Sequence, residues 1–413
     1  MRYNLWMRIL AIETSCDESA VCLLEAEGTF ERDFQFRILG NALHSQAALH
    51  TEYGGVFPNL AKREHAKNLV PLLEEALRQA GELFHTESPT DPAAFQPLKQ
   101  LLEREEELFK QLLAHALRYR KPGIDAIAVT AGPGLEPALW VGINFAKALS
   151  HLWGVPLVAV NHMEGHVVMP MMEHSDILEN VRMSGTMRAF NFPLLTLLIS
   201  GGHTELVLSK KFGEYQLIGE TRDDAAGEAF DKVARLMDLP YPGGPEISRL
   251  AAEARTIQES PIDSKESPWK LTPPMLRSDD YDFSFSGLKT EVRKLVEKHS
   301  PLSDDDKRRL ALSVEETIAK VLIEKTLRAA DEYGAKTLIV GGGVSANTRI
   351  RELLAGRVRE DGAVEQLLTT SPQLATDNAI MIGLAGYFHA LASRYAAPED
   401  IVAKGNLKLE TAL

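Results

Sequence analysis

Apolar residues recur along this chain with two different periods, and the change from one to the other outlines the fold. Ile9, Leu10 and Ile12, then Val21 to Leu24, form short apolar runs on either side of the polar stretch TSCDES. That pattern predicts a β-hairpin with an acidic, hydroxyl-rich tip. From Asn59 to Ala80 the apolar positions return every three or four residues, which predicts a helix. Residues 82–120 begin with the loop-like HTESPTDPAAFQP and turn into a charged amphipathic stretch expected as one helix over Leu98 to Arg120. This segment reads as an insertion. Its Leu101, Leu102, Leu108, Phe109, Leu112 and Leu113 offer enough apolar surface to cover either its own lobe or a partner.

A strand over Ile124 to Thr130, a glycine turn, a helix through LEPALWVGINFAKALSHLWG and a strand in VPLVAVNH follow. Residues 171–191 are irregular and Met-rich, a linker or second insertion. FPLLTLLISGGHTELVLSKKFGEYQLIGET then reads as strand, glycine turn, strand, turn, strand, and repeats the opening hairpin. The last third alternates helix and strand. Two halves, each a hairpin followed by α/β units, predict a duplicated α/β fold with a ligand cleft between two lobes. The expected division is an N-terminal lobe over 7–190 with the insertion at about 82–120, a C-terminal lobe over 191–378, and a helix over 379–409 packing back on the first lobe.

Composition narrows the class. With 45% hydrophobic and 25% charged residues the chain is globular in type. No apolar run approaches the ~18 residues of a membrane helix, and the first residues lack a secretory or transit pattern, so a cytoplasmic protein is expected. Cys16 and Cys22 lack CxxC spacing and read as small core residues. A net charge of −13 argues against a protein that coats nucleic acid non-specifically. Local basic patches remain, with Lys289, Arg293, Lys294 and Lys298 at helical spacing and Lys307, Arg308 and Arg309 close behind.

Four small-residue turns follow apolar runs: TAGPG, ISGGHT, YPGGP and VGGGVSAN. Glycine there lets backbone N–H groups approach a phosphate without a Cβ in the way. None is a Walker A or a full GxGxxG. Asp231, shortly before YPGGP, could accept hydrogen bonds from a ribose or another polar group.

The stretch NHMEGH sets His162 and His166 at i and i+4, the helical spacing that lets two imidazoles share a metal. A zinc-protease motif needs a glutamate directly after the first histidine, where this chain has Met163. Glu164 would point about 200° round the helix, away from the shared face. Asp377, at an expected loop-to-helix junction in ATDNAIMIG, is available as a third ligand. Two histidines and a carboxylate leave coordination positions open and suit iron or zinc.

Taken together, AIETSCDES, NHMEGH, LLISGGHTEL, DDAAGEAFDKVARLMDLPYPGGP, SFSGLKT, GGGVSAN and TDNAIMIG resemble the TsaD family, the catalytic subunit of tRNA N6-threonylcarbamoyladenosine synthase. The resemblance implies an actin/hsp70/sugar-kinase fold. It implies transfer of a threonylcarbamoyl group from threonylcarbamoyl-AMP to N6 of adenosine 37 in tRNAs reading codons that start with A. It implies His162, His166 and Asp377 as ligands to one divalent metal per subunit, iron rather than zinc. Leu198, Ile199, Ser200, Gly201, Gly202, Asp231, Gly244 and Asn347 would bind the donor, and Asp17 and Glu18 would face the same cleft. No general base stands out. A TsaB-like paralogue and a TsaE-like ATPase are the implied partners. The rival expectations are an ATP-hydrolysing phosphotransferase of the same fold, a non-catalytic assembly subunit, and a metalloprotease.

Overall fold

The computed structural model describes residues 6–30, 32–86, 95–174, 183–257 and 268–409. The chain forms two compact units, one of residues 1–48, 56–188 and 377–413, the other of residues 49–55 and 189–376.

The first unit holds a seven-stranded sheet. β1 (Met7–Glu13) and β2 (Glu18–Thr29) form the expected hairpin, with Ile12 opposite Val21 and Leu10 opposite Leu23. β3 (Arg32–Ser45) pairs antiparallel with β2, while β4 (Ala126–Gly132) runs parallel to β1 and β5 (Leu157–Asn161) parallel to β4. β6 (Met172–His174) and β7 (Ser184–Met187) add an antiparallel edge, giving the order β5-β4-β1-β2-β3-β7-β6. Residues 171–191 therefore contribute two short strands rather than a linker, although 175–182 lie outside the described residues.

The period of two decides what each face meets. Leu10, Ile12, Val21, Leu23, Ile127 and Val129 share a core with the helices Pro58–Ala80 and Glu136–Trp153. Ala11, Leu24 and Ala128 on the opposite face lie against the helix Ala379–Leu391. Gly383 and Gly386 let that helix sit close, because a Cβ at Gly386 would come 2.5 Å from the Ala128 Cβ. The helix ends at Leu391 instead of continuing to 409, and turns and extended chain follow.

The insertion packs on its own unit. It is not one helix but two, Gln96–Leu101 and Glu106–Arg118, with Leu98, Leu102, Leu108 and Leu112 buried in the same core as the helix Pro58–Ala80. The break at 102–105 carries the buried Glu105, whose carboxylate lies 3.0 Å from Lys62 Nζ on the helix Pro58–Ala80.

The second unit repeats the topology with five strands: β8 (Leu194–Ile199), β9 (Thr204–Lys211), β10 (Glu214–Glu220), β11 (Thr337–Gly341) and β12 (Gln366–Thr369), in the order β10-β9-β8-β11-β12. As in the first unit, a central strand has an antiparallel hairpin partner on one side and a later parallel strand on the other. The helix Asp304–Glu332 opens with a capping box between Ser303 and Asp306 and buries Leu310, Val314, Ile318 and Leu322 in this unit's core.

Candidate functional site

Two helix N-termini of the first unit build the site, one after a strand and one after a short helix. β5 ends at Asn161, whose side chain accepts a hydrogen bond from Met163 N at 2.8 Å and so caps the helix His162–Val168. The cap starts the helix at His162 and puts His166 one turn further on the same face. The two ring centroids are 4.8 Å apart and their planes perpendicular. Asn378 caps the helix Ala379–Leu391 in the same way, accepting from Met381 N at 3.1 Å, and this fixes Asp377 immediately before the first turn. Asp377 Oδ1 lies 3.3 Å from His162 Nε2 and 3.0 Å from His166 Nε2. The structure thus brings together the two histidines marked by their spacing and the carboxylate expected as third ligand, with their ligating atoms within 4.8 Å of one another.

Glu13, at the end of β1, was not picked out from sequence. Its Oε2 is 3.1 Å from His162 Nδ1 and accepts from Thr130 Oγ1 at 2.6 Å, while Oε1 accepts from Ser15 N at 2.5 Å. The carboxylate holds the Nδ1 proton and leaves Nε2 directed at Asp377, the arrangement that prepares an imidazole as a ligand. The stretch AIETSCDES contains the residue, yet nothing in its spacing ties Glu13 to a histidine 149 positions away.

Charge in the pocket is set by burial against pairing. Burial alone would raise the carboxyl of Asp377, but His162 and His166 beside it hold it well below its ordinary value. Burial also raises Glu13, and His162 outweighs it, so Glu13 is ionised. His162 shows the reverse balance: desolvation would lower it, and Asp377 and Glu13 hold it well above 6.5. His166 is pushed down by burial and stays neutral. Donor types and geometry fit a divalent cation held by two imidazoles and one carboxylate.

At the hairpin tip, Asp17 is buried and Glu18 half-buried. Burial, then Asp17 and Asp377, push Glu18 up to about 9, so this acid keeps its proton near neutrality in the metal-free protein. Cys16 is driven well above its ordinary value, first by burial and then by Asp17, which makes it a poor thiolate ligand. Glu164 is held in a buried hydrogen bond with His389 and is no base for a protease reaction.

The expected donor residues all lie in the second unit. Leu198 and Ile199 are buried at the end of β8. Ser200 closes the following turn, its Oγ accepting from Gly202 N at 3.3 Å and His203 N at 3.1 Å. A Cβ at Gly201 or Gly202 would meet nothing within 4 Å, so the turn borders open space on that side. Two neighbouring turns need glycine: a Cβ at Gly227 would sit 2.6 Å from Ser200 O, and one at Gly342, with φ +86°, 2.5 Å from Ile199 O. Asp231 Oδ1 accepts from Gly243 N at 2.7 Å and so ties the helix Ala226–Leu236 to the helix Gly243–Ile257, in whose first turn half-buried Gly244 stands. Asn347 is already engaged. Its Oδ1 caps the helix Thr348–Asp361 through Ile350 N, and its Nδ2 donates to Ser248 Oγ and the buried Glu315.

The comparisons with known proteins point to one family. The family model described as "TsaD: tRNA N6-adenosine threonylcarbamoyltransferase" matches residues 37–85 and 99–384. A protein of that name from Anaeromyxobacter sp. (strain Fw109-5) is 40% identical over 382 residues, 92% of this chain and 93% of the relative. Another from Ralstonia pickettii (strain 12J) is also 40% identical, over 92% of this chain and 90% of the relative. Among solved structures, full-length HypF in its phosphate- and nucleotide-bound form has a TM-score of 0.50 at 12% identity, over 95% of this chain and 47% of that one. That likeness concerns the two-sheet α/β fold alone.

Proposed function

Since this chain belongs to the TsaD family of tRNA N6-adenosine threonylcarbamoyltransferases, we propose that its acyl donor is threonylcarbamoyl-AMP and its acceptor N6 of adenosine 37 in tRNAs reading codons that start with A. The observation that carries the reading is the triad of buried His162 and His166 with half-buried Asp377, and Glu13 behind it. The triad holds one divalent metal per subunit, iron in preference to zinc. When bound, the metal acts as a Lewis acid that orients and polarises donor oxygens.

The protein's own groups do the rest. The glycine turn Ser200–Gly202, beside Leu198 and Ile199, receives the phosphate side of the donor with no Cβ in the way, and Asp231, Gly244 and Asn347 surround its nucleoside. The amine N6 attacks the carbamoyl carbon, the bond from that carbon to the phosphate oxygen breaks, AMP leaves and N6 gives up one proton. Asp17 and Glu18 lie beside the triad, and the acceptor base reaches it by leaving its stack. A TsaB-like paralogue and a TsaE-like ATPase assist, and the reaction takes place in the cytoplasm. No helix among the described residues is long and apolar enough to cross a membrane.

The test is nucleoside mass spectrometry on unmodified tRNA incubated with the protein, threonylcarbamoyl-AMP and the bacterial partners. Threonylcarbamoyladenosine formed by the wild type and absent with His166→Ala is expected. Its absence with the wild type, given verified donor and partners, sinks the proposal.

A further inference from the structure

We propose that the buried pair Glu164–His389 is a positioning strut that fixes the spacing between the two ligand-bearing elements and thereby sets metal affinity at the triad. Glu164 stands between His162 and His166 on the helix His162–Val168, turned away from their shared face. Its Oε2 is 2.7 Å from His389 Nε2, with side chains 7% and 9% exposed. His389 belongs to the helix Ala379–Leu391, whose start holds Asp377 in place. The pair therefore connects the element that supplies both imidazoles to the element that supplies the carboxylate.

The two helices touch at a second place. A Cβ on Gly165 would lie 2.9 Å from Met381 Cγ and 3.3 Å from Ile382 Cδ1, so the glycine allows close approach near the start of the helix Ala379–Leu391. Packing at that point fixes distance but resists sliding and rotation poorly. A directed bond two turns further on, at His389, resists both. Ala385 and Ala390, near His389 on its helix, and Met163 and Val168, near Glu164 on the other, are apolar and buried. A polar pair in such surroundings contributes little net stability, because desolvation offsets most of its attraction, and two apolar residues would pack there as well. What the pair adds is register between the helices. A slide along their contact would move Asp377 Oδ1 away from the His162 and His166 Nε2 atoms, now at 3.3 and 3.0 Å. Neither Glu164 nor His389 touches metal or substrate.

The inference rests on the metal reading above, and its test separates the two. Cobalt(II) affinity of the full chain is measured by competition with a chelator, together with the visible spectrum of bound cobalt and the melting temperature of the metal-free protein. His389→Leu should weaken cobalt binding roughly tenfold or more and change the spectrum, the range typical for lost outer-shell support. Glu164→Gln, which keeps a hydrogen-bonding partner for His389, should recover most of the affinity. The double variant Glu164→Leu/His389→Leu leaves no charge buried; it should melt at or above the wild-type temperature when metal-free and still bind cobalt about tenfold more weakly. Cobalt affinity of the double variant within about twofold of wild type overturns the strut. So does failure of both leucine variants to fold, which would assign the pair to stability alone. A wild-type chain that takes up no metal overturns the metal reading instead.

Discussion

Replacing Glu13 by Gln separates the orienting role of this carboxylate from its bulk. Glu13 is fully buried and receives three donors: Ser15 N on Oε1, and Thr130 Oγ1 and His162 Nδ1 on Oε2. A glutamine of the same shape has one acceptor oxygen and one NH2 group. If the NH2 takes the Oε1 place it confronts the Ser15 N–H, and the turn into TSCDES loses a hydrogen bond. If it takes the Oε2 place it confronts His162 Nδ1, and the imidazole must then carry its proton on Nε2, the atom needed for the metal. Either way the negative charge behind His162 is gone. Outer-shell substitutions of this kind cost about 10- to 100-fold in metal affinity, or roughly 1.4–2.7 kcal/mol. Thr130→Val removes one of the three bonds while keeping the charge and the His162 contact. It should cost about 1 kcal/mol of stability and leave metal binding nearly unchanged. Competitive titration against a chelator, run on metal-free protein with each variant, reads the difference directly. Equal metal affinity in Glu13→Gln and wild type would refute the claim that Glu13 prepares His162.

Three further expectations concern other parts of the chain. His115 is buried with Nδ1 3.0 Å from Glu74 Oε1, and burial holds its value below 6.5 despite that partner. The unfolded chain therefore binds the proton more readily, so this contribution to stability is present above about pH 6.5 and is lost as pH falls through the folded-state value; melting curves of His115→Gln should flatten against wild type over that window, and parallel pH profiles would contradict it. Gly342→Ala places a Cβ against Ile199 O at a positive φ and should lower stability by about 1–3 kcal/mol in urea unfolding, with an unchanged midpoint counting against the close approach. Lys289 and Arg293 of the basic helix Ser286–His299 line a cavity of about 240 Å³ together with Lys232 of the helix Ala226–Leu236, and Lys289→Glu/Arg293→Glu should weaken tRNA binding and flatten its salt dependence. Identical binding isotherms at low and high salt would show a merely solvated face.

Local patterning made much of this molecule readable from its sequence. The hairpin of β1 and β2, its repeat in β8 and β9 and the helix carrying the histidines all follow from short-range periods, and i, i+4 spacing marks the histidine pair, whereas Asp377 is only one available acid until the family resemblance implies it. What stayed hidden depends on pairings between distant residues. Glu13 meets Thr130 and His162 only because β1 lies parallel to β4 and β4 to β5. β3 alternates Phe34, Phe36 and Ile38 with exposed residues, a legible strand that was passed over. The break in the insertion contains no glycine or proline; a tertiary ion pair between Lys62 and Glu105 accompanies it. Asn347 shows the limit of motif reading from the other side, since a small-residue turn marks it for a ligand while its amide is already bonded on both ends.

The route of the chain through its two units also orders events during synthesis. It leaves the first unit at Arg188, builds the second, and returns at Asp377. The helix Ala379–Leu391, buried along nearly its whole length, covers one face of a sheet whose strands have all been made by Met187. On a ribosome adding about 5–20 residues per second, that face waits roughly 10–40 s for its cover. During this interval Ala11, Leu24 and Ala128 present an open apolar surface, and His162 and His166 lack their carboxylate. The unit begun first is thus completed after the second has been made, and the nascent chain must be kept from aggregating until the helix Ala379–Leu391 emerges.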